Sequence, residues 1–415
     1  MFHNWRVLLT FNRNIRLFLL AWALIAFAYF GVQGVLLNLY LLRLGFGTQF
    51  IGSLIASGQI VWALAALPAG AIGRGFGLRT ALIASAILSA LGNSLLLIVE
   101  WFPREYWPSG LYVAWIIAWL GAALLTVNGI PYLLHASSTE ERNHAFAFQG
   151  AVIALFGFAG SLAAGFLPGI VAVWSGHSLE ESASFWYPLF LVPVMHLICV
   201  VVWASAGSVE PTRESASSES TSSPIGIFIF FGLVVFLQTA GEGSVRAFFN
   251  IYLDKTLVMP SAHIGLIFGI GQLLPVFMSL ITPSLLARWG ASRVLGFTSL
   301  MAGLVSIPLA VIQHWAAATF GFVGVLSMLA INAPSRSIFS QEIVPPRWRT
   351  TTAAIATIGI GLGWASTALA GGYLIPRVGF SGLFWIGAVL AFIAAILVWS
   401  YVKVVGNKTS VGKFA

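Results

Sequence analysis

The feature that most constrains this chain is a series of twelve long, uninterrupted apolar segments. A helix that crosses the hydrocarbon core of a bilayer needs about 20 apolar residues. Only helices and closed barrels satisfy their own backbone hydrogen bonds inside a bilayer, and barrel strands alternate apolar with polar residues. These segments do not alternate, so we predict an all-α membrane protein with twelve transmembrane helices. The segments cover approximately residues 17–41, 50–73, 78–99, 111–134, 146–173, 187–205, 224–252, 261–286, 294–313, 315–336, 350–375 and 381–404.

The charged residues support this class and orient the chain. They make up 8% of the sequence, against about 25% in soluble domains. If the N-terminus is inside, fourteen Lys and Arg residues fall on cytoplasmic segments and four on outside loops. This asymmetry predicts a multi-pass protein of the inner (plasma) membrane with both termini cytoplasmic. The net charge of +8 does not predict nucleic-acid binding, because the basic residues are scattered singly.

The two halves of the sequence share residues at a nearly constant spacing, which indicates an internal repeat. Asn38 matches Asn250 and Tyr40 matches Tyr252 at a spacing of 212, and Gly77 matches Gly290 at 213. An even number of segments separates the copies, so the repeats are parallel. Two parallel six-helix repeats around a central cavity form a transporter architecture.

A polar stretch rich in serine lies at the midpoint of the chain and predicts a flexible linker. We therefore divide the chain into a six-helix bundle over residues 1–205, a cytoplasmic linker over 206–223, a second bundle over 224–404 and a cytoplasmic tail over 405–415.

The short loop between the second and third segments resembles a loop of the major facilitator superfamily, a group of secondary transporters. The stretch GAIGRGFGLR, residues 70–79, has the glycines and the arginine of that loop, and its counterpart in the second half is PSLLARWGASR, residues 283–293. Arg74 and Ala287 stand where the family has an acidic residue, and the family's drug–proton antiporter signatures are absent. The resemblance implies a gate at the inner face, and the alternative is that these residues only form the turn and anchor the inner ends of the helices. It assigns to this gate Gly70, Arg74, Gly77, Arg79, Arg142, Arg288, Gly290 and Arg293.

The candidate coupling residues are Glu242 and Arg246, which lie within the seventh apolar segment. A charge at that depth costs on the order of 3 kcal/mol or more, so the pair must face the protein interior or water. Desolvation favours the protonated form of a carboxyl group, and a nearby guanidinium favours the ionised form. A change in the distance between Glu242 and Arg246 would therefore make Glu242 bind or release a proton. Arg246 would alternatively hold an anionic substrate. The remaining alternative is that Glu242 and Arg246 form a permanent salt bridge that has no role in transport. Gly241 and Gly243 should weaken the helix or let it bend there.

Neutral polar residues on three other apolar segments, and on the same segment as Glu242, complete the expected substrate cavity. By resemblance, the first, fourth, seventh and tenth helices line this cavity. The candidates are Tyr29, Gln33, Asn38, Asn128, Gln238, Asn250 and Asn332. Any of them would equally serve as a hydrogen bond between helices. We expect Arg336 to extend its side chain toward the membrane edge, in the direction of Glu342.

These observations predict a secondary active transporter that works by alternating access and is coupled to protons. The leading hypothesis is efflux of an amphiphilic compound, and the alternative is an uptake symporter for a small anionic solute. A membrane-embedded transferase is a remote third, since no cluster of His, Asp or Glu marks a catalytic centre. We expect no enzymatic activity, no cofactor and no bound metal. The expected partners are a small-molecule substrate, protons and the lipid bilayer, with the chain acting as a monomer.

Overall fold

The computed structural model describes residues 11–209 and 224–411. Residues 210–223, which make up most of the predicted linker, lie outside the described residues, as do residues 1–10 and 412–415.

The described residues form helices that are long and apolar enough to cross a membrane. Ten of them are α1 (Arg13–Arg43), α2 (Thr48–Phe76), α3 (Leu78–Ile98), α4 (Trp107–Ala136), α5 (Thr139–Ser175), α6 (Ala183–Ser205), α7 (Ile225–Lys255), α8 (Ser261–Trp289), α9 (Ala291–Val311) and α10 (Trp315–Glu342). The eleventh helical stretch is Arg349–Val411. The chain is thus a multi-pass, all-helical membrane protein, as predicted.

The last helical stretch is two helices. Gly379 interrupts it with φ 72° and ψ 177°, a conformation that residues other than glycine rarely adopt. The interruption separates α11, residues 349–378, from α12, residues 380–411. Each part is long enough to span a bilayer, so the eleven helical stretches of the described residues are compatible with the predicted count of twelve.

The repeat is visible in two tight turns. A single residue, Gly77, separates α2 from α3, and a single residue, Gly290, separates α8 from α9. Their φ and ψ angles are 89° and 147° at Gly77 and 75° and 161° at Gly290. The same glycine-dependent turn therefore occurs at the two positions that the sequence repeat aligns.

Helices α1 and α7 are both irregular. The middle of α1 is a π-helix over Ala26–Gln33, and adding the repeat spacing of 212 gives residues 238–245, the part of α7 that holds Glu242. Helix α7 is α-helical from Ile225 to Arg246 and resumes at Phe249–Lys255, after a break at Phe248 with φ −127° and ψ 12°. Local irregularity of this kind is common at functional sites in helices.

The contacts divide the described residues into two compact units. The first comprises residues 11–46, 57–209 and 259–273. Its core is built around the buried rings of Phe18, Tyr132 and Trp203, whose centroids are 5.6–6.2 Å apart in each pair. Helices α1, α4 and α6 contribute these rings and are held together by them.

The second unit comprises residues 47–56, 224–258 and 274–411. One of its cores packs Phe231 of α7, Leu295 of α9, Phe339 of α10 and Val398 of α12, all of which are buried. This unit contains the site described below. The division into bundles over 1–205 and 224–404 stays a prediction.

Candidate functional site

Glu242 is the carboxylate around which the candidate site is built. It lies on α7 and is 6% exposed, and no other Asp or Glu side chain among the described residues is buried. Its Oε1 accepts a hydrogen bond of 2.8 Å from Arg246 Nη1, one helical turn later. The i, i+4 spacing predicted from the sequence thus produces a real ion pair.

Arg246 has a different environment from its partner. Its side chain is 37% exposed, and its guanidinium carbon lies 5.6 Å from the centre of the Trp364 ring of α11. A cation over an aromatic face is attracted electrostatically. The ion pair therefore has one buried end, at Glu242, and one end that is partly accessible.

Two glycines flank Glu242 and let other helices pack closely against α7. A Cβ atom on Gly241 would lie 2.9 Å from the carbonyl oxygen of Gly387 on α12, and one on Gly243 would meet Thr367 of α11. The α-helix runs without interruption through both positions. The expected weakening or bend at Gly241 and Gly243 was wrong, because the glycines serve close helix packing and the break comes later, at Phe248.

Glu242 lines a cavity within the second unit. The cavity volume is about 30 Å³, which is room for about two water molecules. The cavity walls come from α7, α9, α10 and α12. The lining residues are Gln238, Thr239, Gly241, Glu242, Thr298, Ser299, Ala302, Ser306, Val325, Met328, Leu329, Asn332, Arg336, Gly387 and Ala391.

Arg336 is the cavity residue that the sequence interpretation placed wrongly. It is 9% exposed and lines the cavity instead of extending to the membrane edge toward Glu342. It interacts electrostatically with Glu242 across the cavity. Arg336 follows Asn332 by four residues on α10, so a polar stripe on that helix was the signal that would have located it.

The side-chain amides of Gln238 and Asn332 have their orientations fixed by α9. Gln238 Nε2 donates to Ser299 Oγ at 2.8 Å, and Asn332 Nδ2 donates to Thr298 Oγ1 at 3.1 Å. Both hydroxyls already donate their own hydrogen to backbone carbonyls of α9. Each hydroxyl can therefore only accept from the amide, and the amide oxygen is left without this partner.

Four buried polar atoms from the cavity-lining residues have no hydrogen-bond partner among the residues that the structure describes. They are Glu242 Oε2, Gln238 Oε1, Asn332 Oδ1 and Arg336 Nη1. Leaving such a group without a partner costs about 1–3 kcal/mol, and more for a charged one. Their concentration in one cavity indicates a binding site, because a region that served only packing would not gather this cost in one place.

The other predicted cavity residues lie elsewhere in the structure. In the first unit, Gln33 donates through Nε2 to Asn93 Oδ1, and Asn128 Nδ2 donates to the carbonyl oxygens of Ala69 at 3.1 Å and Leu124 at 2.9 Å. These bonds connect α1 with α3 and α4 with α2. Gln33 and Asn128 therefore make the helix–helix hydrogen bonds that the sequence left as the alternative.

The remaining three predicted cavity residues are also outside the cavity lining. Tyr29 is half-buried, and its ring centroid is 6.0 Å from that of Trp119. Asn38 is buried in the first unit. Asn250 is buried in the second unit, beyond the break in α7, where its Oδ1 accepts from Ile251 N at 3.0 Å. The predicted polar stripe of α7 is interrupted by the break before it reaches Asn250.

Among the predicted gate residues, two arginines anchor helix ends within the first unit. Arg79 donates through Nε to the carbonyl oxygen of Trp203 at 3.3 Å and through Nη2 to that of Ala204, near the end of α6. Arg142 Nη2 donates to Leu134 O at 3.4 Å, near the end of α4. Side-chain donors at these carbonyls satisfy acceptors that a helix end leaves free.

The other predicted gate residues lie in and beside the two glycine turns. Gly77 and Gly290 form the turns, and Gly70 is half-buried. The exposed members of the set are Arg74, Arg288 and Arg293.

Comparison with known proteins gives a family match in the second half of the chain. The family model described as Major Facilitator Superfamily matches residues 231–414, which include most of the candidate site. No curated protein sequence matches the chain. The second half of the chain is thus similar to the major facilitator superfamily.

Solved structures with this fold match almost the whole chain at low sequence identity. The chain is similar to a mutant of the nucleoside transporter NupG, with 16% identity, a TM-score of 0.70, and coverage of 94% of this chain and 99% of that one. It is similar to a D-xylose–proton symporter, with 15% identity, a TM-score of 0.68, and coverage of 93% and 97%. It is also similar to an auto-inhibited POT family peptide transporter, with 15% identity, a TM-score of 0.71, and coverage of 94% and 97%. At these identities the similarity shows the fold.

Proposed function

We propose that this chain is a proton-coupled secondary transporter in which Glu242 carries the proton. The observation that supports this most directly is the position of Glu242: a buried carboxylate with one oxygen bound to Arg246 and the other lining a cavity that also contains Arg336. Two guanidinium groups, those of Arg246 and Arg336, thus interact with the same carboxylate. It binds a proton when movement of the helices weakens that pairing.

Coupling requires that the two states of Glu242 belong to two conformations of the protein. A proton can shift an equilibrium between conformations only by its difference in affinity for them. The partly accessible Arg246 is the partner whose distance can change, since its side chain has space that the buried Glu242 lacks. We propose that alternating access changes the Glu242–Arg246 distance and so binds the proton on one side and releases it on the other.

For the substrate, our leading proposal is export of an amphiphilic small molecule. The cavity lining also includes apolar residues, which we call its apolar wall: Ala302, Val325, Met328, Leu329 and Ala391. The alternative is uptake of a small anionic solute, which the unpartnered Nη1 of Arg336 favours. Both proposals place the protein in the plasma membrane with cytoplasmic termini.

Transport into proteoliposomes with an imposed pH gradient tests the proposal. Ethidium is the amphiphilic probe and benzenesulfonate the anionic one, and both are permanently charged, so neither carries protons across the lipid by itself. We expect the gradient to drive accumulation of one probe by the natural protein. Glu242→Gln should abolish this accumulation while leaving exchange of the same probe without a gradient.

Glu342→Gln is the matched control, because Glu342 is an exposed carboxylate at the end of α10. It should leave gradient-driven accumulation unchanged. Accumulation that persists in Glu242→Gln contradicts the coupling role. A natural protein that moves neither probe contradicts the proposed substrate classes.

A further inference from the structure

The cavity beside Glu242 presents opposite charges on different helices. Glu242 of α7 contributes a carboxylate oxygen, and Arg336 of α10 contributes a guanidinium nitrogen, and both atoms are buried without a hydrogen-bond partner. The two residues interact electrostatically, but the contact ion pair of Glu242 is with Arg246. The cavity therefore contains one carboxylate oxygen and one guanidinium nitrogen that lack a hydrogen-bond partner among the described residues.

Hydrogen-bond acceptors predominate among the unpartnered atoms. Gln238 Oε1 and Asn332 Oδ1 join Glu242 Oε2, so three acceptors share the cavity with one cationic donor. The hydroxyls of Thr239, Thr298, Ser299 and Ser306 do not change this balance. Each of them already donates to a backbone carbonyl of its own helix.

The charge pattern discriminates between classes of ligand. A simple anion would meet Arg336 but would lie near three acceptors, one of them charged. A simple cation would meet the acceptors but would lie near a guanidinium. A neutral polyol would form the hydrogen bonds but would leave both charges without a counter-charge, which is costly in a buried site.

We infer that the cavity, when movement of the helices widens it beyond its present room for about two water molecules, binds a small zwitterion that carries an ammonium group and a carboxylate. The ammonium donates its three N–H groups to Glu242 Oε2, Gln238 Oε1 and Asn332 Oδ1, and the carboxylate accepts from Arg336 Nη1. Guanidinium is suited to a carboxylate by charge and by geometry. The aliphatic part of the ligand packs against the apolar wall. The inference rests on the proposed transport function at this site and names a substrate class different from the amphiphile and the anion proposed above.

The test compares ligands that share a carbon skeleton. Both 2-aminobutyrate and 4-aminobutyrate give propylamine when the carboxylate is removed and butyrate when the ammonium is removed. Dissociation constants are measured by isothermal titration calorimetry on the full-length, detergent-solubilised protein at neutral pH. We expect at least one of the two zwitterions to bind about tenfold or more tightly than both propylamine and butyrate.

Variants assign the two charged groups of the ligand. Arg336→Gln should weaken the binding of the preferred zwitterion about tenfold or more and change that of propylamine by less than about threefold. Arg336→Lys, which keeps the positive charge, should lose less affinity for the preferred zwitterion than Arg336→Gln. Asn332→Val should weaken the binding of both the preferred zwitterion and propylamine. The matched control is Arg377→Gln, since Arg377 is an exposed arginine of the same unit, and it should change none of these constants.

Any of three outcomes would overturn the inference. They are a single-charge analogue that equals the zwitterions in affinity, no binding of any of the four compounds, and an Arg336→Gln protein that loses as much affinity for propylamine as for the zwitterion. The comparison among the four ligands on the natural protein needs no variant, so a variant that does not fold leaves it intact. Because binding in detergent involves no proton gradient, a failure of this test is distinct from a failure of proton coupling in Glu242→Gln.

Discussion

Glu242 and Arg246 form an ion pair of 2.8 Å whose two ends lie in different environments, since the carboxylate is buried and the guanidinium is partly exposed. Removing the partner of a buried charge is more costly than removing both members of the pair. A comparison of single and double variants therefore distinguishes two cases. In one, the fold needs the two charges together for neutrality; in the other, the two residues stabilise the protein independently.

We predict that Arg246→Gln destabilises the protein by about 1–3 kcal/mol at neutral pH, because it leaves the Glu242 carboxylate without its ion-pair partner. The double variant Glu242→Gln with Arg246→Gln should be more stable than Arg246→Gln alone. Unfolding temperatures of the four proteins in the same detergent provide the measurement. Additive losses, with the double variant the least stable, would show that the pair is not coupled.

A second prediction concerns the contact between α7 and α11. A Cβ atom on Gly363 would collide with the Thr239 hydroxyl and would lie 2.8 Å from the carbonyl oxygen of Phe236. Gly363→Ala should therefore force the helices apart and destabilise the protein by about 1–3 kcal/mol. Gly226→Ala, on the same α7 but with nothing within 4 Å of the new methyl group, is the control and should be neutral or slightly stabilising. Equal unfolding temperatures for the two variants would contradict this packing.

The sequence was sufficient to predict the fold because apolar segment length is a strong local signal. Bilayer thickness determines how many apolar residues a helix needs, so twelve segments predict twelve helices before any contact is known. The break at Gly379 and the turns at Gly77 and Gly290 agree with this prediction, since glycine supplies the backbone conformations that sharp turns need.

The site was predictable only in part. The i, i+4 spacing was enough to predict the Glu242–Arg246 pair, because both residues lie on one helix. Arg336, Ser299 and Thr298 join the site through contacts between helices, and no local pattern in the sequence specifies which faces of α9 and α10 meet α7. The same limitation applies to Gln33 and Asn128, whose hydrogen bonds to neighbouring helices no local pattern specifies and whose place in a substrate cavity stays a prediction.

A third prediction concerns pH and the loop between α5 and α6, outside the membrane-spanning segments. The Ser178 backbone N–H, which donates to Glu181 Oε1 at 3.0 Å, and His177, whose Nδ1 lies 2.6 Å from Oε2, lower the pKa of Glu181 below its ordinary value of 4.5. A carboxylate with a lowered pKa stabilises the folded loop above its unfolded-state pKa. This contribution is lost as the pH falls through the lowered value.

Hydrogen exchange of the peptide covering residues 176–182, corrected for the intrinsic pH dependence of exchange, checks this prediction. Protection of this peptide should be lower at a pH below about 4.5 than at a pH above it. In Glu181→Gln the same peptide should be less protected from the start, and its protection should not change with pH in this range. An identical pH dependence in both proteins would exclude Glu181 as the group responsible.

The last prediction tests the two glycine turns that the repeat aligns. Gly77 and Gly290 have positive φ angles of 89° and 75° with extended ψ angles, a combination that is essentially restricted to glycine. No atom lies within 4 Å of a Cβ placed on either residue, so an alanine there would be strained by its backbone and not by crowding. We expect Gly77→Ala and Gly290→Ala each to destabilise the protein by about 1–3 kcal/mol.

Gly75→Ala is the matched control, because Gly75 also has open space around its Cβ position but has no positive φ. Thermal unfolding should thus separate the two turn variants from Gly75→Ala, and three equal unfolding temperatures would show that the turns relax without cost. Because the two turns lie at equivalent positions of the repeat, similar losses in both variants would further indicate that the halves share this local structure as well as their sequence spacing.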